Sequence, residues 1–340
     1  MSSDSPRYID IIDPNNFHTH RKPIIQRLEK TLGGRVIVYT AASFHPFPEI
    51  MIQDIPLFED LLRSVAEADI GYLIINSPGG DGNVAEKILL MCRQRFPKGF
   101  NVIVPDFAKS AATMIAIGSD KILMGYLAEL GPIDPQLRMA PLGEIIPARS
   151  FIDGLEIIRK KVTEDHDPVQ MYFPMMSQIR PEILASCNSA IEGAREFAKK
   201  WLKSYMLKND PEQAERVAEW LSGGKIYKSH GKVIDFNEAK NALKLNVERI
   251  DPNSDLWADI WELYCREINW LQQHQGQGAA KLFESESVSL TMNIQVLMQA
   301  RPPSAGPQTP PLVPPTKPPQ QAPVPPKESP VPSEETRMPD

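Results

Sequence analysis

Asn76-Ser77-Pro78-Gly79-Gly80-Asp81-Gly82-Asn83 joins a short apolar run, Tyr72-Leu73-Ile74-Ile75-Asn76, to a stretch with helical spacing that carries Ile88, Leu89, Cys92 and Phe96. Glycines at a strand-to-helix junction let backbone amides turn toward a ligand, because no side chain blocks the approach. The segment has neither the GxxxxGK[ST] nor the GxGxxG pattern, so it is not read as a nucleotide phosphate cradle. Taken alone, a Gly-Gly pair is a tight turn.

Working outward, the same alternation recurs. Residues 36–40 (VIVYT), 102–105 (VIVP) and 122–124 (ILM) are short β-branched or apolar runs that suit strands buried on both faces. Between them lie amphipathic patterns, such as residues 55–66 with Leu57, Leu61, Leu62 and Val65 on one face. Strands alternating with helices imply parallel crossovers and an α/β fold. From Pro181 the pattern becomes helical, with Ile183, Cys187, Ile191, Ala194, Phe197, Trp201 and Tyr205 on one stripe and Trp257, Ile260, Tyr264, Ile268 and Leu271 on another. Such stripes read as packing faces, against the body or a second subunit. Residues 281–300 read as a weaker helix leading into the tail.

Two further segments carry candidate chemistry. Phe107-Ala108-Lys109-Ser110-Ala111-Ala112-Thr113 follows a strand and opens a helix, so the Ser110 hydroxyl faces the loops and the Ala111 amide points at whatever it attacks. A helix start favours developing negative charge, which suits an oxyanion. The plain alternative is a serine N-cap. Leu130-Gly131-Pro132-Ile133-Asp134-Pro135-Gln136 reads alone as a proline-fixed turn.

In combination these segments resemble the Clp protease and signal peptide peptidase A superfamily. There a strand–NSPGG–helix segment is followed by an A-x-S-[AGM] nucleophile opening a helix; here Ser110 follows Gly80 by 30 residues. The continuation IAIGSDKILM…LGPIDPQ is especially similar to the serine dehydrogenase proteinase family. The resemblance spans residues 35–250. It implies a Clp/crotonase-like spiral of ββα units with a mainly parallel sheet, and a serine endopeptidase that needs no cofactor, metal or ATP. Lys109 beside the serine, and Ala111-Ala112 in place of Gly-Gly, depart from the familiar pattern.

The resemblance also implies the serine's partners. The position 24 residues after Ser110, where a Clp protease carries histidine, holds Asp134. Glu238-Ala239-Lys240-Asn241-Ala242 looks like the family's E-A segment, and eight residues before Glu238 stands His230, near the place of the Clp aspartate. The two polar partners are exchanged, in keeping with the Ser–Asp–His order of serine dehydrogenase proteinases. Triads are defined by geometry, so chain order is free to vary. Gly80 and Ala111 supply the expected oxyanion amides. A rival base comes from signal peptide peptidase A relatives, which use a Ser–Lys dyad: Lys160 and Lys161 lie 50 and 51 residues after Ser110. A lysine serves as base only if desolvation lowers its pKa, and Arg159-Lys160-Lys161 reads as a solvated face. His166 ranks after His230; His18-Thr19-His20 lacks a third metal ligand, and His45 sits in a proline-bearing stretch before Pro46 and Pro48.

Bulk properties bound the rest. Over 340 residues the net charge is −6, which argues against nucleic acid as a partner. Cys92, Cys187 and Cys265 are odd in number and widely spaced, so buried reduced thiols are expected. No run approaches the ~18 apolar residues of a membrane span, and the start lacks a signal pattern, so a cytoplasmic protein is expected. Residues 301–340 hold nearly half of the 33 prolines, with PxxP spacing at Pro307, Pro310, Pro311, Pro314, Pro315 and Pro318. This is the composition of a disordered, polyproline-II-leaning tail that a proline-motif-binding partner could take up. The expected organisation is a helical lead-in over 1–34, a peptidase domain over 35–250, C-terminal packing helices over 251–300 and the tail over 301–340. The expected partners are peptide or protein substrates and further copies of the chain in a homo-oligomer. Two competing readings are a crotonase-type acyl-CoA hydratase, for which Asp81 lacks a second acid, and a non-catalytic oligomeric scaffold using the tail and Trp257, Trp261 and Trp270.

Overall fold

A computed structural model describes residues 17–139, 144–177 and 179–295 of the chain. In chain order the elements are α1 (Phe17–Leu32), β1 (Arg35–Ala41), α2 (Asp54–Ser64), β2 (Ile70–Asn76), α3 (Gly82–Arg95), β3 (Gly99–Val104), β4 (Phe107–Ala108), α4 (Ala111–Ile117), β5 (Lys121–Met124), β6 (Glu129–Leu130), β7 (Gln136–Met139), β8 (Glu144–Pro147), α5 (Ala148–Thr163), α6 (Phe173–Met176), α7 (Pro181–Ser204), α8 (Pro211–Ser222), β9 (Val247–Arg249), α9 (Asp255–Gln273), β10 (Ala279–Ser285) and β11 (Ser289–Asn293).

The main sheet runs β11-β10-β1-β2-β3-β5-β9. Strands β1, β2, β3, β5 and β9 pair in parallel, in the registers Tyr39↔Ile75, Leu73↔Val102, Ile103↔Leu123 and Ile122↔Val247. The expected α/β architecture with a mainly parallel sheet and a helical C-terminal part is what forms. Side chains alternate between two cores, as the period of two demands. Ile37, Tyr39, Leu73, Ile75, Val102 and Val104 pack under α2, α3 and α4. Val36, Val38, Ile74 and Ile103 face Ile24, Ile25 and Leu28 of α1 and Ile260 and Leu263 of α9. Both faces are covered, which is why these strands read as continuous apolar runs.

The predicted strands and the four long predicted helices appear within a few residues of their expected bounds. One expectation is overturned. Residues 281–300 do not begin as a helix: β10 pairs antiparallel with β1 (Ala41↔Lys281, Tyr39↔Phe283) and with β11 (Phe283↔Leu290). The reason is that β10 is buried along its whole length while carrying Lys281 and Glu284. Two buried charges break the apolar run by which a covered strand is recognised. The proline-rich tail expected over 301–340 lies outside the described residues, as do residues 296–300 and residues 1–16 of the lead-in.

The three cysteines are buried free thiols, and burial pushes Cys92 and Cys265 up to about 12, so neither is a thiolate nucleophile. No helix among the described residues is long and apolar enough to cross a membrane.

Candidate active site

The glycine turn, the serine and the proline turn meet at the C-terminal ends of the parallel strands. Past Asn76 the chain crosses β4: Ser77 N donates to Phe107 O at 3.1 Å and Lys109 N donates to Ser77 O at 3.0 Å. Asn76 Oδ1 accepts from Phe107 N at 3.1 Å, so the asparagine of the motif ties the two segments together. Gly79 and Gly80 have φ of +99° and +147°, both in the region open to glycine. A Cβ on Gly79 would stand 2.5 Å from Lys109 O and 2.8 Å from Ala111 N, which is how closely this turn approaches the serine. Neither the Gly80 nor the Ala111 amide donates to an acceptor among the described residues. Asp81 is committed to capping α3, accepting from Asn83 N at 2.8 Å.

Ser110 stands at the N-cap position of α4 yet its side chain makes no capping bond. It therefore does not fill the N-cap role, and the nearby Thr113 hydroxyl instead donates to Ala108 O at 2.6 Å. Ser110 has φ +48° and ψ −119°, a conformation that is costly for a residue with a Cβ. Its hydroxyl has no hydrogen-bond partner among the described residues, and Ser110 lines a cavity.

Asp134 and His230 are brought together by the segments that flank them. Leu130 and Ile234 exchange two backbone hydrogen bonds of 2.9 and 3.0 Å. Gly131 N donates to Thr113 Oγ1 at 3.0 Å, and Ile133 N donates to Leu221 O at 2.9 Å. These bonds pin the proline turn between α4, α8 and the His230 loop. His230 Nδ1 lies 2.9 Å from Asp134 Oδ1, and the two side chains are 23% and 4% exposed. With the carboxylate ionised, Nδ1–H donates to it and Nε2 keeps its lone pair. No hydrogen bond joins His230 to Ser110 among the described residues.

Ser110, Asp134, His230 and Gly80 all line one cavity of about 790 Å³. Its far wall is α7, which presents Ala190, Gly193, Ala194 and Phe197. Sequence reading took this helix as a packing stripe; its small residues are what open the cavity. Glu49, Asp81 and Glu86 also line it, with Glu86 accepting from Lys200 Nζ at 2.8 Å and Trp201 Nε1 at 3.1 Å. Thr113, which sequence reading also missed, has no signal of its own in the sequence, since its role depends on where Gly131 arrives.

The other candidates are elsewhere. Lys160 and Lys161 are exposed on α5 and do not line this cavity. Lys161 pairs with Asp165 at 2.8 Å, and that hydrogen bond and charge raise its pKa. Lys109 Nζ turns away from the serine to Glu129 at 2.7 Å and Leu130 O at 3.2 Å. His166 is exposed, and both ring nitrogens of His45 are occupied, Nδ1 by Phe47 N at 3.1 Å and Nε2 by Ile294 O at 3.2 Å.

A serine with a free hydroxyl on a strained backbone, beside open amides and a carboxylate-held imidazole, is the equipment of a serine hydrolase. The sequence profile described as ClpP-like SDH-type serine proteinase matches residues 12–274, and the chain belongs to that family. Two uncharacterized proteins of Methanocaldococcus jannaschii are similar. One is 40% identical over 214 residues, 62% of this chain and 65% of the relative. The other is 32% identical over 135 residues, 36% of this chain and 44% of the relative. The chain thus spans roughly half to two thirds of the length of these relatives. Among solved structures, a mutant of a membrane-bound stomatin-specific protease in complex with a substrate peptide is similar at 17% identity and TM-score 0.38, covering 77% of this chain and 90% of that one. The ClpP protease catalytic domain from Plasmodium falciparum is similar at 14% identity and TM-score 0.35, covering 71% and 94%.

Proposed function

We propose that the chain is a serine endopeptidase that cleaves peptides or proteins through an acyl-enzyme on Ser110. The observation that carries this reading is the Asp134–His230 hydrogen bond at the wall of the cavity that Ser110 also lines. In the first half-reaction His230 Nε2 takes the proton from Ser110 Oγ as the oxygen attacks the peptide carbonyl carbon. Asp134 holds the ring and stabilises the imidazolium that forms. The Gly80 and Ala111 amides receive the oxyanion. The imidazolium then gives its proton to the leaving amine. Water repeats the sequence and frees Ser110. The reading requires Nε2 to come within about 2.6–3.2 Å of Ser110 Oγ in the substrate complex.

A homo-oligomer belongs to the same reading. Ile157, Phe173, Met175 and Met176 on α5 and α6 are exposed and apolar, the kind of face that a second copy covers.

A fluorophosphonate probe tests the nucleophile, since Oγ displaces fluoride from phosphorus only when activated. Labelling of wild type and not of Ser110→Ala, together with internal cleavage of an unfolded protein such as casein, is the expected result. Absence of labelling in a folded wild-type protein would sink the proposal and favour a non-catalytic scaffold.

A further inference from the structure

Among the buried charges that this mechanism leaves unused, Lys281 and Asp54 are both fully enclosed, with side chains 0% exposed. Lys281 Nζ donates to Asp54 Oδ1 at 2.8 Å, to Asp54 Oδ2 at 3.0 Å and to the Glu49 carbonyl. Asp54 Oδ2 also accepts from Met51 N at 3.0 Å and from the Tyr39 hydroxyl at 3.2 Å. The pair therefore grips the backbone on both sides of Ile50, by the carbonyl before it and the amide after it.

Ile50 is the residue that bridges Gly80. Its amide donates to Gly79 O at 2.6 Å, and its carbonyl accepts from Asp81 N at 2.9 Å. That pairing uses the groups on either side of Gly80 and leaves the Gly80 amide facing away from Ile50. The fit is close: a Cβ on Gly80 would meet Ile50 O at 2.3 Å and Ile50 N at 2.4 Å. Any shift of the 49–51 segment is thus passed directly to Gly80.

A buried ion pair is a poor stabiliser, because desolvation offsets the attraction and apolar side chains of similar volume serve as well or better. Its use lies in fixing one geometry. Burial raises the Asp54 pKa and lowers that of Lys281, each partly countered by the other, so the position is demanding for both. Lys281 comes from β10, the strand set against β1 at Ala41.

We infer that the Lys281–Asp54 pair, with Tyr39, is a positioning device that fixes the 49–51 segment so that the Gly80 amide stays aimed at the reacting oxygen. The inference rests on the reading of Ser110 as nucleophile and Gly80 as oxyanion donor. Neither Lys281 nor Asp54 touches substrate. Through them the C-terminal hairpin becomes part of the site's geometry.

The test is the kinetics of fluorophosphonate labelling of the full chain, resolved into the maximal rate and the half-saturating probe concentration. In the paired variant Asp54→Asn/Lys281→Met, Asn keeps an acceptor for Met51 N, Met fills the lysine stem, and no unpaired charge is left. The maximal rate should fall about tenfold to hundredfold with half-saturation nearly unchanged, somewhat short of the ~10²–10³ loss for deleting an oxyanion donor. A folded variant with the wild-type maximal rate would overturn the positioning role and leave the Ser110 reading intact. An unlabelled wild type would instead remove the Ser110 reading and this inference with it. If the paired variant fails to fold, Tyr39→Phe decides, since it removes one donor to Asp54 and no charge. A maximal rate lowered by about threefold supports the role, and an unchanged rate overturns it.

Discussion

His230 Nδ1 and Asp134 Oδ1 lie 2.9 Å apart although 96 residues separate them in the chain. The carboxylate is almost fully enclosed and the ring is partly open to the cavity. Asp134→Asn keeps the volume but presents an amide to Nδ1, favouring the tautomer that carries its proton on Nε2. The expected loss in kcat is about 10³–10⁴-fold with KM little changed. Hydrolysis of a fluorogenic peptide measures both. A variant within a factor of a few of wild type would show that Asp134 does not orient the base.

Ser110 pays for its exposure with a φ of +48°. Ser110→Gly should relieve that strain and Ser110→Ala should not. Urea unfolding is therefore expected to find the glycine variant more stable than the alanine variant by about 1 kcal/mol, net of glycine's greater unfolded-state entropy. Both variants should be unlabelled by a fluorophosphonate. Equal stability would mean that the Ser110 backbone stores no strain.

Lys160→Ala and Lys161→Ala should each leave the labelling rate within about twofold of wild type, as for surface substitutions in general. Both lysines are exposed on α5, and Lys161 is held charged by Asp165. A lysine base needs the opposite, a pKa lowered by desolvation. A large loss on either substitution would restore the Ser–Lys dyad.

Glu267 is buried on α9, where it accepts from Thr40 Oγ1 at 2.6 Å. Burial, and then the charge of Glu284, push its pKa up from 4.5 to about 8. Glu284 itself is held low: burial opposes ionisation, but the nearby His18 ring, the Arg21 charge and hydrogen bonds from Arg21 and Ser289 outweigh it. In the folded state Glu267 keeps its proton at neutral pH, whereas in the unfolded chain it has lost it. Its contribution to stability is therefore complete below pH 4.5 and is lost as pH rises toward 8. The slope approaches ~1.4 kcal/mol per pH unit in that window. Thermal unfolding should show Tm falling from pH 5 to pH 8, and Glu267→Gln should flatten the fall. An unchanged pH profile in the variant would assign the dependence to other groups.

The sequence made the parallel core legible because strands covered on both faces must be apolar, and residues 36–40, 72–76, 102–105 and 122–124 obey that demand. It also singled out Ser110 as the candidate nucleophile, through the glycine turn 30 residues before it. The hairpin after α9 was not legible. A strand that buries Lys281, Glu284 and Ser285 carries no periodic signal, and only its neighbours Asp54, Arg21 and Ser64 explain those residues.

What the sequence by itself determined, then, is the order of the candidate site segments: glycine turn, Ser110, Asp134, His230. Which basic side chain meets Asp134 was decided by tertiary structure. His230 and the two lysines were all permitted by spacing. The Leu130–Ile234 bridge carries His230 to Asp134, while α5 carries Lys160 and Lys161 out to solvent. The physical reason is that a side chain's protonation and reach depend on burial and on neighbours distant in the chain, and neither is written in the residues beside it.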